Sequence, residues 1–176
     1  MNNLVLRLLK GNDRYLKSKT SHGDISLDKR KETANNGQHP FAVIIACSDS
    51  RVMPEAIFDC GIGDLFIIRV AGNVIGEHEL GSIQYATEHL NCQLVVVLAH
   101  TQCGAIASAL GGHGGGYVNY LLNPIHQAIG EEKDPQKASK INALAGVKTI
   151  KESLKPKSFE TIAMLYDIAN GKVEIL

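Results

Sequence analysis

Two apolar runs in this chain end in residues that do chemistry. The first, Phe41-Ala-Val-Ile-Ile-Ala-Cys47-Ser-Asp49-Ser-Arg51, sets a thiol, a carboxylate and a guanidinium at alternate positions after a β-branched stretch. The second, Val95-Val-Val-Leu-Ala-His100-Thr-Gln-Cys103, ends in an imidazole and another thiol. Cys47, His100 and Cys103 are together a Cys₂His ligand set for zinc. That ion takes thiolate and imidazole in a tetrahedron, and at catalytic sites it leaves the fourth position to water. The His-x-x-Cys spacing lets one strand end and its following turn place two ligands, while Cys47 arrives from a neighbouring strand. The plain alternative makes Cys47 and Cys103 core thiols and His100 a hydrogen-bonded strand-end histidine, since free cysteine is among the most buried residue types. Three ligand types converging on one sheet edge favour the metal. Cys60 and Cys92 have no partner at ligand spacing and read as core or surface thiols.

Asp49 and Arg51 point the same way from an extended segment. The guanidinium fork can hold the carboxylate bidentately and favours its charged form. An ordinary strand-end salt bridge is the bland reading. Two residues from a zinc thiolate, support of the metal site is the better one. Zinc lowers the pKa of its bound water from 15.7 towards about 7. Asp49 would accept that proton or orient the hydroxide, with Arg51 keeping it ionised and turned away from the metal.

The elements that must position these groups follow from the pattern. Leu4, Val5, Leu8 and Leu9 give residues 3 to 10 the apolar face of a helix. Gly11 and Asn12 mark a break before a polar helix around Asp13 to Ser18. The apolar face of this first helix would pack on a partner subunit or, equally, on its own domain. Residues 20 to 40 are polar, with a charged, solvated helix over 26 to 35. Phe41 to Ala46 is a continuous apolar run, as expected of a strand buried on both faces of a parallel sheet, Leu65 to Val70 reads as a second buried strand, and Leu94 to Ala99 as the third. Thr161 to Leu165 is a fourth strand, and Asn170-Gly171 a hairpin signal leading to an antiparallel edge strand at Val173 to Leu176. Pro54 opens a short helix through Phe58. Gly76 to Gly81 reads as a loop, and Ser82 to Leu90, Gly104 to Leu110, Tyr117 to Ile129 and Ala138 to Leu154 as helices. Gly111 to Gly116 is a flexible loop without the lysine and hydroxyl that a phosphate loop needs. The fold is therefore α/β: a mostly parallel central sheet of about four strands plus an antiparallel edge strand, with helices on both faces. Ligands of such sheets bind beyond the carboxyl ends of the strands, where Cys47, Asp49, Arg51, His100 and Cys103 all fall.

The 176 residues suit one core, so residues 1–176 are read as a single domain. Eighteen basic and eighteen acidic side chains cancel, which argues against a nucleic-acid or anionic-membrane partner and for a small, weakly charged substrate. The opening Met1 to Lys10 is too short an apolar run, and interrupted by Arg7, for a signal peptide or a membrane span. Four cysteines with no export signal point to reduced thiols and a cytoplasmic location.

Ala46-Cys-Ser-Asp-Ser-Arg-Val52 with His100-Thr-Gln-Cys-Gly104 resembles the β-class carbonic anhydrases, in a short bacterial or archaeal-like form. Leu9-Lys-Gly-Asn-Asp-Arg-Tyr15, Gly61-Ile-Gly-Asp-Leu-Phe-Ile-Ile-Arg69, Ala71-Gly-Asn73 and the hairpin Tyr166 to Val173 are similar to further segments of that family. The resemblance implies reversible hydration of CO₂ to bicarbonate and a proton by zinc-bound hydroxide. Cys47, His100 and Cys103 would hold Zn²⁺, beside an Asp49–Arg51 dyad. It implies a homodimer or a multiple of one, with the pocket at the subunit interface. Gln38 would hydrogen-bond substrate, Phe66 would be an aromatic wall, and Tyr85 would line the pocket from across the interface. His89, one turn after Tyr85, stands where some members carry a proton-shuttle histidine. This set is that of the subclass with an open, water-bound zinc; in the other, the aspartate closes the metal. The chain departs from the family in having Val70 where asparagine is usual and in its Gly-rich segment between Leu110 and Ala138.

Three rivals stand beside this reading. Hydrolysis of carbonyl sulfide or carbon disulfide uses the same ligands. A non-catalytic zinc or bicarbonate-sensing module would keep Asp49 on the metal. A thiol redox protein is disfavoured, because there is no Cys-x-x-Cys.

Overall fold

The computed structural model describes residues 2–18, 23–155 and 158–176. The start of the polar stretch at 19–22 and the two residues at 156–157 lie outside the described residues. Five strands form one sheet: β1 (Ala42–Ala46), β2 (Leu65–Arg69), β3 (Leu94–His100), β4 (Glu160–Tyr166) and β5 (Val173–Ile175). Their order is β2-β1-β3-β4-β5. The first four run parallel, with Ala46 opposite both Arg69 and Leu98 and His100 opposite Tyr166. β5 closes the far edge antiparallel to β4. The chain steps from β1 outward to β2 and then crosses back over β1 to β3. The crevice between the ends of β1 and β3 is therefore the point where the winding reverses, the place such sheets offer to ligands.

The continuous apolar runs of β1 and β3 are buried along their whole length, as their lack of polar alternation predicts. β2 is apolar from Leu65 to Ile68 but only half-buried, because it is an edge strand with β1 as its one neighbour. A one-dimensional pattern cannot separate the two situations.

Helices cover both faces. On one, α1 (Asn3–Lys17) and α3 (Pro54–Ile57) put Val5, Leu8 and Ile57 onto Ile44, Val96 and Met164. On the other, α4 (Glu77–His89) and α7 (Pro135–Leu154) put Ile83, Ala86, Ala143 and Ile150 onto Val43, Ile45, Val95 and Val97. A third cluster caps the carboxyl end of the sheet. There α5 (Gly104–Leu110) and α6 (Asn119–Ile129) pack Ile106, Ala109, Leu122 and Ile125 around Cys47, Val74 and Cys103. The polar α2 (Leu27–Asn36) buries no residue.

Two expectations for helices need correction. Gly11 and Asn12 do not break the first helix, which runs unbroken from Asn3 to Lys17. Gly11 is there for close approach: a Cβ at that position would lie 1.9 Å from the Phe58 carbonyl oxygen. The buried Asn12 amide donates to the carbonyls of Ile57 at 3.2 Å and Gly171 at 2.9 Å, and its oxygen accepts from the Val173 N–H at 3.0 Å. The pair docks α1 on α3 and on the C-terminal hairpin. Val5 and Leu8 of α1 are buried in the core of its own domain. Secondly, residues 77–81 are helical and not a loop. The Glu79 carboxylate accepts the Gly76 N–H at 2.9 Å, satisfying a free donor at the start of α4.

No helix among the described residues is long and apolar enough to cross a membrane.

Candidate metal centre

Cys47 is the first residue after β1, His100 the last of β3, and Cys103 the residue that precedes α5. Parallel pairing of β1 with β3 brings the two strand ends together. Gln102, in a left-handed conformation with φ +56°, turns the chain so that Cys103 comes back towards His100. The ligand atoms of Cys47, His100 and Cys103 all lie within 4.8 Å of one another, and all three residues are buried. The set fits a metal on its own chemistry. The Nδ1 of His100 faces the Thr101 carbonyl oxygen at 2.9 Å, which fixes the proton there and leaves Nε2 as the lone-pair nitrogen. That Nε2 is buried without a hydrogen-bond partner. Buried polar atoms are seldom left so, and a nitrogen lone pair beside two sulfurs is what a tetrahedral cation requires.

The sulfurs are prepared for the charge. Cys103 donates to the Cys47 sulfur, which also receives the Gly72 N–H at 3.3 Å, so its pKa is pulled well down. Cys103 holds the shared proton and is pushed the other way by that bond and by burial. A bound cation takes both as thiolates.

Asp49 and Arg51 form the expected fork. Arg51 Nε donates to Oδ1 at 2.9 Å and Nη2 to Oδ2 at 2.7 Å, and the Arg51 backbone N–H adds a third bond to Oδ1 at 3.0 Å. These bonds hold the Asp49 carboxyl well below the usual carboxylate range. Arg51 Nη2 also donates to the Gln102 carbonyl at 3.1 Å, tying the β1 turn to the β3 turn. Asp49 Oδ2 stands 4.0 Å from His100 Nε2, so the carboxylate faces the ligand cluster.

Further residues complete this shell, and no role was expected of them from the sequence. Arg69, at the end of β2, donates to the carbonyls of Cys47 at 3.2 Å and Asp49 at 2.7 Å, fixing the segment between ligand and carboxylate. Gly72 supplies its N–H to Cys47 and its carbonyl to the Asn142 amide at 2.8 Å. The run Arg69-Val-Ala-Gly72-Asn73 was the available signal for the first two. Nothing in the sequence flagged Asn142.

The remaining predicted residues lie apart from this cluster within one chain. Phe66 pairs with Val43, four residues before Cys47, which is about 13 Å along the strand. Tyr85 lies against Phe66 with ring centroids 6.3 Å apart, and His89 lies 5.2 Å beyond Tyr85. Gln38 is exposed in the loop that enters β1, at the end of that strand away from Cys47. Cys60 and Cys92 are buried thiols outside the ligand group.

Comparison with known proteins accords with this geometry. A family model described as carbonic anhydrase matches residues 42–173. Carbonic anhydrase 2 of Mycobacterium tuberculosis is 44% identical over 127 residues, which cover 69% of this chain and 61% of that protein. The chain thus aligns with about three-fifths of the length of that curated relative. The crystal structure of the β-carbonic anhydrase CafA of Aspergillus fumigatus superposes with a TM-score of 0.75 at 26% identity, over 99% of this chain and 91% of that one. A structure of tetrameric β-carbonic anhydrases from Sordaria macrospora gives a TM-score of 0.69 at 26% identity, over 99% and 98% of the two chains. With the family model covering both ligand-bearing strand ends and the fold matched over almost its whole length, this chain belongs to the carbonic anhydrase family, in its β class.

Proposed function

We propose that the protein catalyses reversible hydration of carbon dioxide to bicarbonate and a proton, with zinc held by Cys47, His100 and Cys103. The observation that carries this reading is the buried Cys47–His100–Cys103 group with the unpartnered His100 Nε2, faced by a carboxylate that Arg51 holds ionised. Zinc bound there supplies Lewis-acid activation of water, whose pKa it lowers from 15.7 towards about 7.

The chain's own groups do the rest. Both oxygens of Asp49 are engaged by Arg51, which keeps the carboxylate from swinging onto the ligand cluster. That supports the open-site subclass, in which Asp49 accepts or orients a proton at Oδ2 and does not ligate. Arg69 holds the Asp49 main chain, so the position of that oxygen relative to the sulfurs is set by two strands. The apolar cap of Val74, Ile106 and Ile125 keeps bulk water from the buried side of the sulfurs.

CO₂ carries little for polar groups to grip, and the pocket assigned to it is made by Gln38, Phe66 and Tyr85. These residues stand at the other end of β1 and β2 from the chain's own ligands, so a partner subunit must supply them to each site. The half-buried apolar edge strand β2, with Phe66 on it and the half-exposed Tyr85 against it, supports such an interface. A homodimer or a multiple of it is the proposed active form, and His89 behind Tyr85 is the proposed exit for the proton. The four free, buried thiols support a reducing, cytoplasmic setting.

Stopped-flow CO₂ hydration and sulfide release from carbonyl sulfide, measured side by side on purified zinc-loaded protein, test the assignment. Hydration should dominate. Sulfide release with negligible hydration would replace it by the hydrolase reading.

A further inference from the structure

Cys47, taken in the proposed function as a metal ligand, receives a backbone hydrogen bond whose donor is clamped from elsewhere in the fold. The Gly72 N–H reaches its sulfur at 3.3 Å. Gly72 sits in the left-handed region at φ +71°, ψ +11°, and a Cβ there would lie 2.8 Å from Ile125 Cδ1 and 3.0 Å from Ala105 Cβ. The residue is therefore pressed between α5 and α6 and has to be glycine. Its carbonyl accepts the Asn142 Nδ2–H at 2.8 Å, from a point 70 residues further along the chain.

Asn142 is 6% exposed, on a face of α7 that also buries Ala138, Ser139, Ala143, Gly146, Val147 and Ile150. A buried amide in such company is costly unless bonded. The bond it makes ends one residue from the thiolate. With its carbonyl held by Asn142 and Ile125 and Ala105 close about its Cα, Gly72 is held in the conformation that presents its N–H to Cys47. An amide N–H on a metal-binding sulfur draws off charge and sets which lone pair is free for the metal.

We infer that Asn142 is a positioning residue of the metal centre, acting through the backbone of Gly72 to orient and tune the Cys47 sulfur. It touches neither substrate nor metal. Its effect should appear in the metal–sulfur bond and not only in turnover.

The test uses the full chain with zinc and, separately, with cobalt(II) in its place, whose sulfur-to-metal charge-transfer absorption in the near ultraviolet reports the thiolates. Asn142→Leu keeps the side chain's branched heavy-atom skeleton and removes the donor, and Asn142→Asp keeps its shape and replaces the donor with an acceptor. Both should weaken zinc about 10- to 100-fold in chelator competition and shift the charge-transfer band. Ile150→Val, elsewhere on the buried face of α7, should lower stability without moving the band. If Asn142→Leu does not fold, Asn142→Ser, which is too short to reach Gly72, is read in the same way. Unchanged affinity and band in the folded Asn142 variants, with a normal band in the parent protein, would overturn the inference and leave the ligand assignment standing. A parent protein with no thiolate–cobalt band would overturn both.

Discussion

At the scale of single residues the site separates two kinds of cysteine by what their protons do. Cys47 gathers hydrogen bonds to its sulfur, which favour the thiolate. Cys60 and Cys92 instead donate, to the carbonyls of Phe58 at 3.4 Å and Pro40 at 3.2 Å, and need their protons to do so. Burial pushes their pKa values up to about 12 and about 11. Native Cys60 and Cys92 hold their protons more tightly than the unfolded chain, where a thiol titrates near 8.5. Their contribution to stability is therefore full below pH about 8.5 and declines as pH rises towards the folded values, by about 1.4 kcal/mol per pH unit for each thiol. Urea midpoints at pH 8 and pH 10 should show this loss, and the Cys60→Ala/Cys92→Ala chain should lose less over the same interval. An equal loss in the double variant would place the alkaline sensitivity elsewhere. The proposed roles of Asp49 and Cys103 differ in the same way. Asp49→Asn leaves all three ligands in place but removes the carboxylate that Arg51 holds, so zinc should stay at one ion per chain while turnover falls about 10²- to 10⁴-fold. Cys103→Ala removes a ligand, and the metal should be lost with it. Normal zinc content in that variant, measured by elemental analysis, would sink the ligand assignment.

At the scale of elements, two glycines in helices have opposite meanings that composition cannot separate. Gly11 lies where α1 crosses the Phe58 carbonyl, and its Cβ would fall inside a main-chain oxygen. Gly81, in α4, has nothing within 4 Å of a Cβ and faces solvent. Gly11→Ala should cost about 3 kcal/mol or more, since backbone and not a pliant side chain must yield. Gly81→Ala should gain about 0.5–1 kcal/mol from the helix propensity of alanine. Thermal and urea unfolding of the two variants check both signs; a destabilised Gly81→Ala would mean that this face of α4 is packed. The same contrast explains which elements were legible in the sequence. β1, β3 and β4 could be read because strands covered on both faces have no polar alternation to blur them. The convergence of Cys47, His100 and Cys103 could be read because strand ends and a His-x-x-Cys turn are local features. Gly11 was misread as a break because its reason, the Phe58 carbonyl, lies 47 residues away in sequence. The start of α4 was missed because glycine is a weaker cap signal than serine or aspartate, although Glu79 stood three residues on. Asn142 had no local signal at all, because its purpose is a carbonyl that only the packing of α7 brings near.

At the scale of the whole molecule, the sheet puts the proposed chemistry at one end of β1 and the proposed pocket residues at the other. Val43, opposite Phe66, and Cys47 are about 13 Å apart along one strand, a distance no side chain of Phe66 or Tyr85 spans. Either those residues are plain surface, or each site borrows them from a neighbour across a two-fold axis. Such an axis makes a sharp prediction, because an isologous interface carries two equivalent sites, each built from both chains. Asp49→Asn damages the metal half of a site, and Tyr85→Ala damages the borrowed half. Each homodimer should be weak in CO₂ hydration. In a mixed dimer one site collects both defects and the other collects neither. Random co-assembly makes half the dimers mixed, each with one intact site of two, so activity should recover to about a quarter of the parent value. If Tyr85 served its own chain, every site in the mixture would carry one defect, and mixing would give no more than the average of the two weak parents. Co-expression with two purification tags, followed by stopped-flow hydration on the doubly tagged fraction, isolates the mixed dimer. There the expectation rises to about half, which separates a shared pocket from a merely adjacent subunit.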